Sequence, residues 1–215
     1  IRFQRKSFLR FTTMTSPTDL PAPARGLRAI LAGVWHGKDS LLHAHRRRKA
    51  RQILTGNLPH STVFLCHGNI CRSPFAAVLF QQILPPFVAN QVAVSSAGFI
   101  GPGRPTPNLG IASAAQLGVD LSGHRSGTIE IDTLNQADLI VVMEPAQAGR
   151  VESLLTLPGK RILILGDIDP EPIDRRRIAD PWNGDRAAFD ASYARIDRCV
   201  RELAALVTGG NHAAG

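Results

Sequence analysis

The sequence predicts a single doubly wound α/β domain with a four-stranded parallel sheet and helices on both faces, and three observations carry that prediction. Four short apolar segments alternate with stretches of helical periodicity from residue 62 onward. Prolines and glycines mark the joins between them. At 215 residues the chain has room for one such domain and an appendage, but two full domains would not fit comfortably. Strands that are apolar on nearly every residue and separated by helices belong in a parallel sheet covered on both sides.

The elements follow in order. "TVFLC" at 62–66 reads as a buried strand, and Pro74 suits the first turn of the helix after it. In that helix Ala76, Leu79, Phe80, Ile83 and Leu84 recur at helical spacing, and Pro85-Pro86 ends it. "QVAVSS" at 91–96 is the second strand. Thr106-Pro107 is expected to cap and open a helix that Gly118 closes. "ADLIVVM" at 137–143 is the third strand, Pro145 opens another helix, and "KRILILG" at 160–166 is the fourth strand. A long helix from about Asp185 carries Phe189, Tyr193, Ile196, Val200, Leu203 and Val207 on one face and stops at Gly209-Gly210.

Charge separates the chain into two parts. Residues 1–60 hold 12 Lys and Arg against 2 acidic residues, whereas 61–215 hold 13 against 15, so the net charge of +8 belongs to the N-terminal extension. The body is near neutral, which excludes bulk positive charge as its means of binding. Within the extension, "IRFQRKSFLRFTTM" has the bias of a targeting peptide, with a read-through segment ahead of Met14 as the favoured alternative. "RGLRAILAGVW" and "LLHAHRRRKARQIL" have the pattern of basic amphipathic helices. Contact of "HRRRKAR" with nucleic acid or anionic lipid is weighed against a solvated tail, and with so little aromatic interleaving the tail is preferred. Mean hydropathy of -0.02 and the lack of any apolar run near the roughly 20 residues of a membrane span fit a globular protein. Three cysteines are too few for a disulfide framework, and no C-x-x-C or histidine pair completes a zinc site. No metal or cofactor is expected, and the compartment is expected to be the reducing cytoplasm.

The stretch "FLCHGNICRSP", Phe64–Pro74, holds the chemistry. It joins the first strand to a helix N-terminus, the place where ligands sit in sheets of this kind. Backbone N–H groups and the helix dipole converge there on one anion. Gly68 is expected to supply an unusual backbone angle, Asn69 tolerates the left-handed region and can lock the loop, and Arg72 offers a planar fork for two phosphate oxygens. Cys66 stands at the base of this cradle, where the dipole and guanidinium favour a thiolate, and Ser73 can stabilise the sulfur. A thiolate facing phosphate is a nucleophile for phosphoryl transfer. Cys71 reads equally as a small core residue or as a partner of Cys66 in a protective disulfide. Cys199, on the last helix, reads as structural.

The spacing C-x-x-x-x-x-R-S resembles the phosphate loop of the low-molecular-weight protein tyrosine phosphatases. Further segments match that family in order: "SSAGF" at 95–99, "GVDLSGHRS" at 118–126, "ADLIVVM" at 137–143 and "DPWNG" at 180–184. The resemblance implies a metal-free hydrolase of phosphotyrosine proteins working through a phosphocysteine. Cys66 is then the nucleophile, Arg72 the phosphate clamp and Asp180 the general acid. The loop from His67 through Gly68, Asn69, Ile70, Cys71 and Arg72 to Ser73 binds phosphate. Asn69, Ser73, Ser96 and His124 match the network that holds the loop in shape, and Phe99 and Trp182 match the walls of the substrate crevice. His67 and the Trp182-Asn183 pair depart from the commoner family residues. Residues 1–60 lie outside the family pattern and are expected to be dispensable for chemistry.

Three rivals remain. Arsenate reduction on this fold needs two further cysteines, and only Cys199 lies outside the loop. Arginine phosphatases of this scaffold favour threonine before the second cysteine, where this chain has Ile70. A non-catalytic phosphoprotein-binding module has no need of the intact Cys66, Arg72 and Asp180. Between two Asp-Pro pairs in one long loop, Asp180 is preferred as the acid because the terminal helix begins just beyond it. Asp169, among Asp167, Glu171 and Asp174, reads as solvated turn chemistry.

Overall fold

The computed structural model describes residues 39–55, 57–155 and 161–209. Strands β1 (Ser61–Cys66), β2 (Ala93–Gly98), β3 (Leu139–Val142) and β4 (Arg161–Ile164) form one sheet in the order β2-β1-β3-β4. Every pairing is parallel, with Phe64 of β1 opposite Ser96 on one side and Val141 on the other. The helices are α1 (39–54), α2 (Arg72–Ile83), α3 (Pro86–Ala89), α4 (Asn108–Gln116), α5 (Ile131–Gln136), α6 (Pro145–Leu154) and α7 (Arg186–Val207), and a short 3₁₀ turn spans Leu165–Ile168.

The period of two along each strand divides the core into two layers. Phe64 and Cys66 of β1, with Leu139 and Val141 of β3, face the layer built from α2, α4 and α7. Val63, Leu65, Ile140 and Val142 face the layer completed by Leu134 of α5 and Val151 of α6. The Tyr193 ring of α7 stacks on Phe75 of α2 at 4.2 Å between centroids, and Phe189 meets Tyr193 edge-on. The Tyr193 hydroxyl donates to the carbonyl of Cys71. These contacts clamp the start of α2, and with it the cysteine loop, against the longest helix of the body.

Several local expectations change. Thr106 does not cap a helix: α4 begins at Asn108, and the Thr106 hydroxyl is buried without a partner among the described residues while its methyl faces Gly110. Pro85 ends α2 and Pro86 opens α3, a turn too short to leave a periodic signal. The same brevity hides α5 in the sequence. Asp185 does cap α7, accepting from the backbone of Ala188. The segment 25–35, read as an amphipathic helix, and residues 1–14 lie outside the described residues.

Residues 41–54 do not form a solvated tail. Helix α1 buries Leu54 in the main core, and its Arg47 and Arg51 both donate to Glu202 of α7 at 2.8 and 2.9 Å. His43, 8% exposed, bonds the backbone carbonyl of Asp169, and Asp39 accepts from the backbone N–H of Arg176.

Asp169 is likewise not solvated. It is fully buried, receiving Arg195 at 2.9 Å and Arg198 at 2.7 and 3.0 Å. Asp167 binds Arg176 through both oxygens. Their partners come from α7 and from nine residues along the loop, so local composition gave no sign of them. Burial pushes the Asp169 carboxyl up, but the bonds from Arg198, the Glu171 N–H and Arg195 outweigh it and hold the group below its ordinary range. Removing one member of a buried pair costs about 3–5 kcal/mol, so Asp169→Ala is expected to lose stability of that order in urea denaturation. A depressed folded pKa contributes stability above about pH 4 that is lost as pH falls through the folded value. Asp169→Asn is therefore expected to flatten the acid limb of the stability–pH curve.

Candidate active site

In a sheet of order β2-β1-β3-β4 the chain leaves β1 where successive crossovers run to opposite sides, and the crevice at the carboxyl ends opens there. The loop 66–71 fills this point. Its backbone is set by Asn69, which has φ of 50° and no exposed surface. The Asn69 N–H donates to the Cys66 sulfur at 3.2 Å, and its side-chain amide donates to the hydroxyls of Ser73 and Ser96 at 2.9 and 2.8 Å. Its amide oxygen accepts from Gly127, and its carbonyl accepts from Nε2 of His124 at 2.7 Å. Ser73, on the first turn of α2, donates its hydroxyl hydrogen to the Cys66 sulfur at 3.1 Å. Two hydrogens are thus aimed at one buried sulfur.

Close packing explains the "SSAGF" motif. A β-carbon on Gly98 would lie 2.8 Å from the Asn69 nitrogen and 2.9 Å from the Gly68 carbonyl carbon, so only glycine lets the loop cross the end of β2. The expectation for Gly68 changes: the left-handed residue is Asn69, and what Gly68 provides is space for the Arg104 guanidinium, 2.7 Å from where its β-carbon would stand.

Arg72 is 2% exposed. Its Nη1 donates to the carbonyl of Ile178 at 3.2 Å and lies 3.9 Å from Glu144, and its Nη2 is paired with the Asp180 carboxylate. Its Nε is buried with no partner among the described residues. The other Asp180 oxygen accepts from the backbone of Trp182, the start of a tight turn through Asn183 at φ of 63° to Gly184. Burial, with the nearby Asp180 and Cys66 charges, pushes the Cys71 thiol up to about 12. Cys71 is therefore a protonated, apolar member of the core. Cys66, Cys71 and Cys199 are all free thiols, and burial also pushes Cys199 up.

A depression of about 160 Å³ lies over the sulfur, lined by Cys66, His67, Gly68, Ile70, Cys71, Ile100, Arg104, Asp180 and Trp182. Among the crevice walls expected from the sequence, Trp182 is placed at the rim and Phe99 is not. The Phe99 ring packs in the second core layer with the Arg150 guanidinium 4.0 Å above it, and the next residue, Ile100, takes the wall. Arg104 escaped the sequence reading because no spacing ties it to the cysteine loop. It spans to Gly68, Gly101 and Ile100 through their carbonyls and brings a second cation to the rim. A larger depression of about 350 Å³ between α1 and β4 holds none of the cysteines. No group of three potential metal ligands occurs among the described residues.

A cysteine at the floor of a backbone cradle, with a buried arginine and a carboxylate at its mouth, defines an α/β protein built to handle phosphate. Residues 61–211 match the family model described as low molecular weight phosphotyrosine protein phosphatase. The chain belongs to that family. A probable low molecular weight protein-tyrosine-phosphatase, EpsP of Ralstonia solanacearum, is 36% identical over 138 residues, 63% of this chain and 88% of that protein. Wzb of Vibrio vulnificus, solved in complex with benzylphosphonate, superposes with a TM-score of 0.59 at 26% identity, covering 68% of this chain and 97% of that one. The YwlE arginine phosphatase from Geobacillus stearothermophilus shares the fold at 23% identity and a TM-score of 0.58, covering 68% and 91%.

The Asn69 bonds and its left-handed backbone are separable. Asn69→Gly removes the side-chain bonds alone, whereas Asn69→Ala also forces a β-carbon residue into the left-handed region at a cost of about 1–2 kcal/mol. Both variants are expected to melt below the wild type, with Ala the lower of the two by that margin in chemical denaturation.

Proposed function

We infer that the protein hydrolyses phosphotyrosine in protein substrates through a cysteinyl-phosphate intermediate. One observation carries the reading: the Arg72 guanidinium is buried beside the Cys66 loop with its Nε unpartnered and its Nη2 on Asp180. A phosphate dianion in the cradle takes Nε and Nη2 together as a bidentate pair. In doing so it releases Asp180 from Arg72 toward the leaving group, so that substrate binding assembles the acid.

The Cys66 thiolate then attacks phosphorus in line, forming the S–P bond as the ester P–O bond breaks. Asp180, which takes up a proton from solvent on leaving the guanidinium, gives it to the departing phenolic oxygen. In the second step a water gives its proton to Asp180 and attacks phosphorus, the S–P bond breaks, and inorganic phosphate leaves with the thiolate restored. Arg72 and the loop N–H groups stabilise the equatorial oxygens in both steps. Asn69, Ser73, Ser96 and His124 act by holding the loop in its anion-binding shape.

Ile70, Ile100 and Trp182 form a slot suited to a flat ring, which supports aryl over alkyl phosphates. Ile70 lining the depression likewise favours phosphotyrosine over phosphoarginine. A cytoplasmic setting is supported by the three free thiols, since the nucleophile works only in its reduced form. No helix among the described residues is long and apolar enough to cross a membrane.

Cys66→Ser is expected to keep phosphate and vanadate affinity while losing turnover, because the cradle survives without the sulfur; normal turnover would refute the covalent route. Asp180→Ala is expected to lower kcat/KM on phenyl phosphate by roughly 10²- to 10⁴-fold, and far less on p-nitrophenyl phosphate, whose leaving group departs readily as an anion. Matched phosphotyrosine and phosphoserine peptides test the aryl preference, with poor turnover expected on the latter.

A further inference from the structure

We propose that helix α1, which lies outside the family match, sets the position of the general acid, and that His43 is the positioning residue through which it acts. The proposal rests on Asp180 being that acid.

The segment that carries Asp180 runs from the end of β4 to the start of α7 as two limbs lying against each other. Gly166 on the first limb faces the carbonyl of Arg176 on the second so closely that no β-carbon fits between them. Arg195 of α7 binds the limbs together, donating to the Asp169 carboxylate on one and to the carbonyls of Arg175 and Arg177 on the other at 2.8 and 2.9 Å. Helix α1 bonds to both limbs. His43 Nε2 meets the Asp169 carbonyl at 3.0 Å, and Asp39 accepts from the Arg176 N–H at 3.1 Å. Because a carbonyl oxygen only accepts, Nε2 carries the hydrogen. The ring's Nδ1 is buried without a partner among the described residues, so the bond to the loop is the single polar contact of a buried side chain.

From Arg176 the chain has four residues to reach Asp180, and each step is fixed. The Ile178 N–H donates to Met143 at the end of β3, and the Ile178 carbonyl accepts from Arg72. Ser192 of α7 donates to the Ala179 carbonyl. Asp180 follows on a segment without slack, and the hold of α1 on the limbs at Asp169 and Arg176 adds to these anchors in setting where the carboxylate stands. Helix α1 is itself anchored on α7 through Glu202, and its bonds to the loop reference the acid to the helix that clamps the cysteine loop. Two of its five basic residues, Arg47 and Arg51, are thus paired with a carboxylate of the body. The expectation that residues 1–60 are dispensable for chemistry gives way for 39–54.

The test is the leaving-group ratio of the full chain, measured as kcat/KM on phenyl phosphate against p-nitrophenyl phosphate. A misplaced acid penalises the poor leaving group, whereas a loss of folded protein lowers both rates equally. His43→Ala is expected to lower the phenyl phosphate rate roughly 10-fold more than the p-nitrophenyl phosphate rate, a fraction of what deleting a general acid does. His43→Gln, whose amide retains an N–H donor, is expected to restore most of the ratio. Equal losses on both substrates, or none, would overturn the proposal. If His43→Ala fails to fold, Asp39→Ala severs the second bond and is read by the same ratio with the same two outcomes. Asp180→Ala measured alongside separates the levels: a flat ratio there overturns the general-acid reading and this proposal with it. A steep ratio there with a flat one in His43→Ala overturns this proposal alone.

Discussion

A sulfur can face a bound phosphate only if the backbone around it is held with its N–H groups inward, and in this protein one buried amide does the holding. Asn69 sits in the left-handed region, a conformation costing an ordinary L-residue about 1–2 kcal/mol, and five hydrogen bonds keep it there. Those bonds reach β2 through Ser96, α2 through Ser73, and the 121–127 turn through His124 and Gly127. The loop is therefore tied to elements that are far apart in sequence and fixed by the core. Gly98 completes the arrangement from the other side, by having no side chain where the loop passes.

The second constraint is the long segment between β4 and α7. Its two Asp-Pro pairs look alike in sequence and carry opposite duties. Asp180 is part-exposed at the mouth of the depression, paired with a guanidinium that a dianion competes for. Asp169 is sealed in the interior between two arginines of α7 and serves to hold the segment's limbs together. Burial decides the difference. An exposed carboxylate is free to exchange partners and protons during a reaction, whereas a buried, doubly paired one is costly to disturb. The two loop cysteines, by contrast, are equally buried, and what distinguishes them is the pair of hydrogens that Asn69 and Ser73 aim at the Cys66 sulfur.

Helix α1 joins these two parts of the molecule. Its arginines reach the far end of α7 while His43 and Asp39 reach the segment that carries Asp180. A basic stretch with this composition, read alone, is a solvated tail; against Glu202 and the backbone of Asp169 and Arg176 it is part of the body.

The sequence by itself determined the parallel sheet, because four apolar runs buried on both faces leave little else to build. It also determined the cysteine loop, whose residues are joined by contiguous backbone: Cys66, Asn69, Arg72 and Ser73 lie within eight positions, and their contacts are local. The supporting residues Ser96 and His124 and the proposed acid Asp180 were legible only through the family's ordered motifs, since no spacing in this chain ties them to the loop. Tertiary structure alone decided the remainder. It put Ile100 rather than Phe99 on the crevice wall, because the chain bends just past β2 and the Phe99 ring packs in the second core layer. It brought Arg104 to the rim and buried Asp169, and it seated α1, because each of these depends on groups 26 to 155 residues away. Hydrophobic periodicity is a property of neighbours along the chain, whereas an ion pair or a close approach between distant segments exists only once the core has brought them together.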